Sequence, residues 1–202
     1  MAPGHVAYGL RAQYGLFVDP DTVVAWERGL AVPGEQELTA LAGVLWCSPA
    51  ELIAAPTTLR EHRVARGLSV EELARRTGVA PAAYQRMENE GRWRGNERQT
   101  VALAEALGLG PRSLITATGG DEPLAELLRD AATTRWQAYV KPAVKLVPLP
   151  RPVVESALRE LHAEYHARMA ATSSWGASGA TGDEGRAFLD EITGHFWAAV
   201  GP

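Results

Sequence analysis

The chain has 202 residues, 46 % hydrophobic and 22 % charged, with a formal net charge of −4, which is ordinary for a folded protein with room for one large domain or two to three small ones. Cys47 is the only cysteine, which excludes an intramolecular disulfide and a cysteine-based zinc site. No stretch approaches the roughly 20 apolar residues of a membrane span, so no membrane partner is expected.

The averaged charge hides a gradient. Residues 1–56 hold 2 Arg and 6 acids, giving −4; residues 57–115 hold 10 Arg and 7 acids, giving +3; residues 116–202 hold 8 basic and 11 acidic residues, giving −3. The cations therefore gather in the central segment. Charge beyond a Debye length of roughly 8–10 Å is largely screened, so this local excess governs docking on phosphate. Met1 to His5 has no basic start followed by a long apolar run, so no signal peptide is expected and the expected compartment is the cytoplasm. No stretch alternates cleanly enough to demand a sheet, and the chain reads as all-α.

In chain order, His5 to Tyr14 forms a first short segment before a turn at Gly15. Val18-Asp19-Pro20 and Trp26-Glu27 follow. The apolar run Leu41 to Trp46 places Cys47 as a small buried core residue. Five short helices are expected next. The first covers Thr58 to Arg66, with Leu59, Val64 and Leu68 on its apolar edge, and Gly67 ends it. Ser69-Val70-Glu71-Glu72 reads as a capping box, the Ser69 hydroxyl accepting from the N3 amide while Glu72 reaches back. The second helix passes through Leu73, Ala74 and Thr77, and Gly78 supplies the left-handed turn. Pro81 fits the first turn of the third, which runs to about Asn89. Gly91 and Gly95 bracket a loop holding Arg92, Trp93 and Arg94. The fourth, Glu97 to Leu107, is expected to bury Val101, Leu103, Ala104 and Leu107. Pro111 opens a fifth that ends at Leu114 and Ile115.

The residues Leu59-Arg60-Glu61, Gly67-Leu68-Ser69, Glu72-Leu73-Ala74, Gly78-Val79, Pro81, Met87-Glu88, Leu103-Ala104, Ala106-Leu107-Gly108 and Ser113-Leu114-Ile115 together resemble the XRE-type, phage-repressor-like helix-turn-helix domain. The likeness covers under a third of the chain. It departs at Val70, where the family often has a polar residue such as Gln. The resemblance implies that the third helix enters the major groove of double-stranded DNA while the others brace it.

With Val79, Tyr84 and Met87 inward, the outward set is Ala82, Ala83, Gln85, Arg86 and Asn89, with Glu88 and Glu90 nearby. Gln pairs in bidentate fashion with adenine, Arg with guanine, and Ala packs on a thymine methyl. Arg92 and Arg94 flank the following loop, where phosphates would lie. Ser69 and the free amides of its helix can hold another. One such reader covers a half-site, so a homodimer is expected.

An internal repeat runs through the first half of the chain. Val18-Asp19-Pro20 and Trp26-Glu27 stand 61 positions before Val79-Ala80-Pro81 and Met87-Glu88. Leu41-Ala42, Leu45, Ser48-Pro49 and Leu52-Ile53 stand 62 before Leu103-Ala104, Leu107, Gly110-Pro111 and Leu114-Ile115. In the first copy one early helix is missing or much reduced. Its reading face would be Asp21, Thr22, Val24, Ala25 and Arg28, with Asp19 at the helix start. Carboxylates there favour the helix but repel phosphate, so this copy is expected to pack on its sibling or on a protein partner.

Thr116 to Pro123 reads as a linker and Leu124 to Val140 as a helix. Pro142, Pro148, Pro150 and Pro152 mark an extended stretch. Val153 to Ala170 is amphipathic, with Val154, Leu158, Leu161, Tyr165 and Met169 in one stripe. Ser173 to Gly182 is a Gly/Ser-rich stretch, and Asp183 to Val200 a final helix. His162 and His166 share a face at metal-binding spacing, but no third ligand is evident. The aromatics Trp136, Tyr139, Tyr165, Trp175, Phe188, Phe196 and Trp197 fit either a core or the wall of an interface or ligand pocket. No nucleophile–base set, phosphate-cradling loop or carboxylate pair assembles, so no enzyme and no cofactor are expected.

The expected architecture is thus an all-α chain in three parts. Residues 1–56 form a shortened degenerate copy, 57–115 the reader, and 116–202 a C-terminal helical module for association or sensing. The expected function is transcriptional regulation through DNA. The alternative is a non-enzymatic protein-interaction adaptor that uses helix-turn-helix folds as scaffold.

Overall fold

A computed structural model describes residues 1–53, 55–173 and 181–201. Among these the fold is all-helical. Contacts divide the chain into two compact units, residues 1–108 and 109–202.

The first unit opens with α1 (Pro3–Tyr14), α2 (Pro20–Glu27), α3 (Glu35–Leu45) and α4 (Pro49–Leu52). It continues with α5 (Leu59–Ala65), α6 (Val70–Thr77), α7 (Pro81–Glu90) and α8 (Glu97–Leu107). Helix starts are set locally. Thr58 accepts from the Glu61 amide at 3.2 Å, and Glu61 accepts from the Thr58 amide at 3.0 Å. Asn96 and Gln99 exchange the same pair of bonds at 3.0 and 2.9 Å, so both helices carry reciprocal caps. At Ser69 only half of the expected box forms. Its hydroxyl accepts from the Glu72 amide at 3.1 Å, but the Glu72 carboxylate turns forward to Arg76 one helical turn on.

The helices of the two segments start at matching spacings. Helices α2, α3 and α4 start at Pro20, Glu35 and Pro49; α7, α8 and the second unit's first helix start at Pro81, Glu97 and Pro111. Gly15 and Gly78 both close the preceding helix in the left-handed region, with φ of 69° and 67°. Helix α1 packs on α2 and α3 as α6 packs on α7 and α8. The first copy's core is Val6, Leu10, Val23, Ala40, Leu41 and Val44.

One pair of equivalent positions differs sharply. Gly108 ends α8 with φ 64°, and Trp46, 62 positions earlier, ends α3 with φ 56°. Trp46 is the one non-glycine residue at positive φ among the described residues, and its side chain is 91 % exposed. The expected burial of this run therefore stops at Val44, and Cys47 is only half-buried. A left-handed helix end turns the chain outward and carries the indole with it. Val101, expected inside α8, is also exposed, because Leu103 and Leu107 define the inward stripe.

The second unit contains α9 (Pro111–Ala117), α10 (Asp121–Thr133), a 3-10 turn (Trp136–Tyr139), α11 (Val140–Leu146), α12 (Arg151–Ser173), α13 (Thr181–Asp190) and α14 (Ile192–Val200). Its core joins Ile115, Leu128, Val154, Leu158, Phe188 and Phe196. The stripe on α12 faces this core, and Phe188 and Phe196 lie inside it. Trp175 and most of the Gly/Ser-rich stretch lie outside the described residues.

Four expectations for this unit change. The linker at 116–123 shrinks to a turn at Thr118–Gly120 between α9 and α10. The helix expected over 124–140 breaks after Thr133. There the Thr133 and Thr134 hydroxyls donate back to the carbonyls of Arg129 and Asp130 at 2.8 and 2.6 Å, competing with the helical ladder. The extended stretch contracts to residues near Pro148, because Pro142 and Pro152 sit in first turns, where no amide is needed. The final helix is broken at Glu191 into α13 and α14.

Candidate nucleic-acid interface

Helix α7 is held rigidly from beneath. Gly78 ends α6, and the Val79 amide donates to the Ala74 carbonyl at 2.9 Å. Pro81 occupies the first turn of α7, and Gly91 closes it at φ 62°. Tyr84, Met87 and Glu88 are buried. The Tyr84 ring meets Trp93 edge-on at 6.4 Å. Trp93 in turn donates from Nε1 to Thr100 Oγ1 at 2.8 Å, and the Arg94 amide donates to the Met87 sulfur at 3.1 Å. The loop after α7 is thereby tied both to α7 and to α8.

Glu88 is no part of the outer face. It sits at the centre of an ion-pair cluster that sequence reasoning did not assemble. Arg63, on α5, donates from Nε to Glu88 Oε2 at 2.8 Å and from Nη2 to Glu88 Oε1 at 2.7 Å. The same guanidinium forks onto Glu35 at the start of α3, with both bonds at 2.7 Å, and reaches the Leu68 carbonyl at 3.0 Å. The side chains of Arg63 and Glu88 are 1 % and 2 % exposed. Burial by itself raises the Glu88 carboxyl, but hydrogen bonds led by Arg63 outweigh it and hold the group below the usual carboxylate range. The Arg63 hydrogen bond likewise lowers Glu35. Burial disfavours the charged form of Arg63, yet the two carboxylates push its pKa up. One buried arginine thus pins α7 to α5 and ties α3 to both. A signal existed: Arg63 falls one turn after Leu59, and Glu88 one turn after Tyr84, so both occupy core positions of their helices.

The expected reading residues divide as follows. Ala82, Gln85, Arg86 and Asn89 are exposed on α7. Ala83 is half-buried, and forms with Arg86, Glu90, Arg94 and Gln99 the wall of a groove of about 520 Å³ along the helix flank. Asn89 Oδ1 accepts from Arg60 Nη2 at 2.7 Å, while Arg60 Nε contacts Glu88 at 3.2 Å. The Asn89 carbonyl is engaged, and its amide nitrogen remains available as a donor. On its other side Gln85 borders a second groove, of about 630 Å³, shared with Tyr14, Leu16, Glu35 and Val70. Residues of α1 and α3 therefore flank α7 and bring the Glu35 carboxylate to that edge.

Of the expected phosphate contacts, Arg94 pairs with Glu90 at 2.8 Å, with both side chains largely exposed. Such a pair is worth about 0–1 kcal/mol and yields readily to another anion. Arg92 is exposed and has no carboxylate within 4 Å among the described residues. The Ser69 oxygen is engaged in capping α6, so its hydroxyl hydrogen is what it can offer outward.

A family model described as a helix-turn-helix domain matches residues 57–117, α5 to α9 and just under a third of the chain. No curated protein and no solved structure matches the chain. A helix-turn-helix domain at this place points to DNA binding, in line with the local cationic excess. Among the described residues no helix is long and apolar enough to cross a membrane.

Proposed function

We propose that this chain is an XRE-type transcriptional regulator that reads the major groove of double-stranded DNA with α7, working as a homodimer and carrying no catalytic activity. The observation that carries the reading is the division of α7 itself. Tyr84, Met87 and Glu88 anchor it in the unit, leaving Ala82, Gln85, Arg86 and Asn89 outward on one rigid helix. Gln85, by one donated and one accepted bond to adenine, and Arg86, by two donated bonds to guanine, supply the bidentate pairs, each worth about 1–3 kcal/mol of discrimination. Ala82 offers a methyl. Arg92 and Arg94 supply phosphate contacts on the loop beyond.

The test is binding to genomic fragments, the chain's own promoter region included, as a function of salt. The Gln85→Ala/Arg86→Ala double variant should keep its fold and its affinity for random duplex and lose sequence preference. Selectivity equal to wild type in that variant refutes the reading-helix assignment.

One observation favours a second reading, the protein-interaction adaptor. Among the described residues the exposed large apolar side chains fall almost wholly in the first copy, Phe17, Leu30, Val32 and Trp46 being the most exposed. In the repeat register Leu30 and Val32 stand where Arg92 and Arg94 stand, 62 positions later. The first copy thus carries apolar contacts in place of phosphate contacts, which suits protein association. Absence of binding above random DNA at low salt shifts the assignment to the adaptor.

A further inference from the structure

The reader's cationic surface extends past the residues already named. A cleft of about 510 Å³ lies at the end of α6 and the start of α8, with Arg75, Arg76, Asn96, Arg98 and Gln99 among its walls. No acidic side chain lines it. Arg76 is neutralised by Glu72. Arg75 and Arg98 are exposed, and neither has a carboxylate within 4 Å among the described residues. Two unpaired guanidinium groups thus converge on one concavity from two different helices.

The cleft adjoins the reading helix. Gln99 lines both this cleft and the groove that runs along α7 past Ala83, Arg86 and Arg94. It is fixed there, since its Nε2 donates to the carbonyl of Gly78, the turn glycine, at 3.0 Å, while its Oε1 caps α8. Gln99 is therefore a partition between two grooves of one surface. From Arg94, past Arg86 and across Gln99 to Arg98 and Arg75, that surface presents cations from three helices and a loop, with Glu90 the one carboxylate along it among the described residues.

Resting on the DNA-reading proposal, we infer that Arg75 and Arg98 form a second phosphate clamp, holding a backbone phosphodiester of the duplex beside the segment read by α7. Such a clamp orients the protein and adds affinity without sequence information. Guanidinium groups suit it, because their forked donors match phosphate oxygens.

Counterion release gives the test. Each phosphate neutralised adds about 0.9 to the slope of log K against log salt on duplex DNA. The full-length Arg75→Ala/Arg98→Ala variant should lose affinity by the same factor on a preferred fragment and on random duplex, and its slope should shrink by about 0.9, the share of the one phosphate held. Between 50 and 200 mM salt, wild type would then lose about 3.5-fold more affinity than the variant. Both side chains are exposed, and an unchanged unfolding curve checks that the fold is kept. The Arg75→Lys/Arg98→Lys variant retains the charge and should restore the slope. A wild-type slope in the Ala variant, with DNA binding intact, overturns the clamp and leaves the reading of α7 standing. Selective loss on the preferred fragment alone also overturns it. A wild-type chain that binds no duplex at low salt overturns both.

Discussion

Replacing Arg63 with methionine isolates the interaction that organises the first unit. Methionine keeps much of the volume and removes five hydrogen bonds, two to Glu88, two to Glu35 and one to the Leu68 carbonyl. The Glu88 side chain is 2 % exposed, so its carboxylate stays behind without its main partner. Removing one member of a buried pair costs about 3–5 kcal/mol. Arg60, still 3.2 Å from Glu88, places the expected value near the lower end. Glu35 behaves differently: it is 41 % exposed, water replaces its lost bonds, and Glu35→Gln should cost under about 1 kcal/mol. The Arg63→Met/Glu88→Met double variant leaves no buried charge and should be less destabilised than the sum of the singles by about 2–3 kcal/mol. Urea unfolding followed by tryptophan fluorescence gives all four values. A cost below about 1 kcal/mol for Arg63→Met, or additive singles, refutes the buried cluster as the link that pins α7.

Three further outcomes are expected. Glu35, Glu61 and Glu88 are all held below the usual carboxylate range, so the unfolded chain binds more protons in acid. Their contribution is complete above the ordinary glutamate value of about 4.3 and is lost as pH falls through the lowered folded values; denaturation curves at pH 5 and pH 3 should show that loss. Trp46→Gly should stabilise the chain by about 0.5–1 kcal/mol, because glycine takes φ 56° without the left-handed penalty and the exposed indole loses few contacts. A lowered thermal midpoint contradicts this. Gly95→Ala should cost about 1–3 kcal/mol, because the added methyl would lie 2.4 Å from the Trp93 ring, which is tethered to Thr100; an unshifted indole N–H resonance for Trp93 contradicts it.

Much of the second copy was legible in the chain because its signals are local. Pro81, the glycines at 78 and 91 and the alternation of outward and inward residues on α7 each act within a few residues, and α8 begins and ends at the residues expected. The same rules misjudged Glu72, whose choice between Ser69 and Arg76 is a competition between two neighbours of similar strength. They also read through the break after Thr133, since the apolar spacing continues past the point where two threonine hydroxyls unsettle the ladder.

What the sequence by itself determined is the all-helical character, the helix-turn-helix over the central segment and the concentration of cations there. These follow from periodicity, caps and charge, which are properties of short windows. Only the tertiary structure decided that Glu88 turns inward, that Arg63 joins Glu35 to Glu88 across separations of 28 and 25 residues, and that Arg75 and Arg98 meet in one cleft. Such pairings depend on which helix faces packing brings together. A buried charge then settles wherever its partner waits, and no local window contains both.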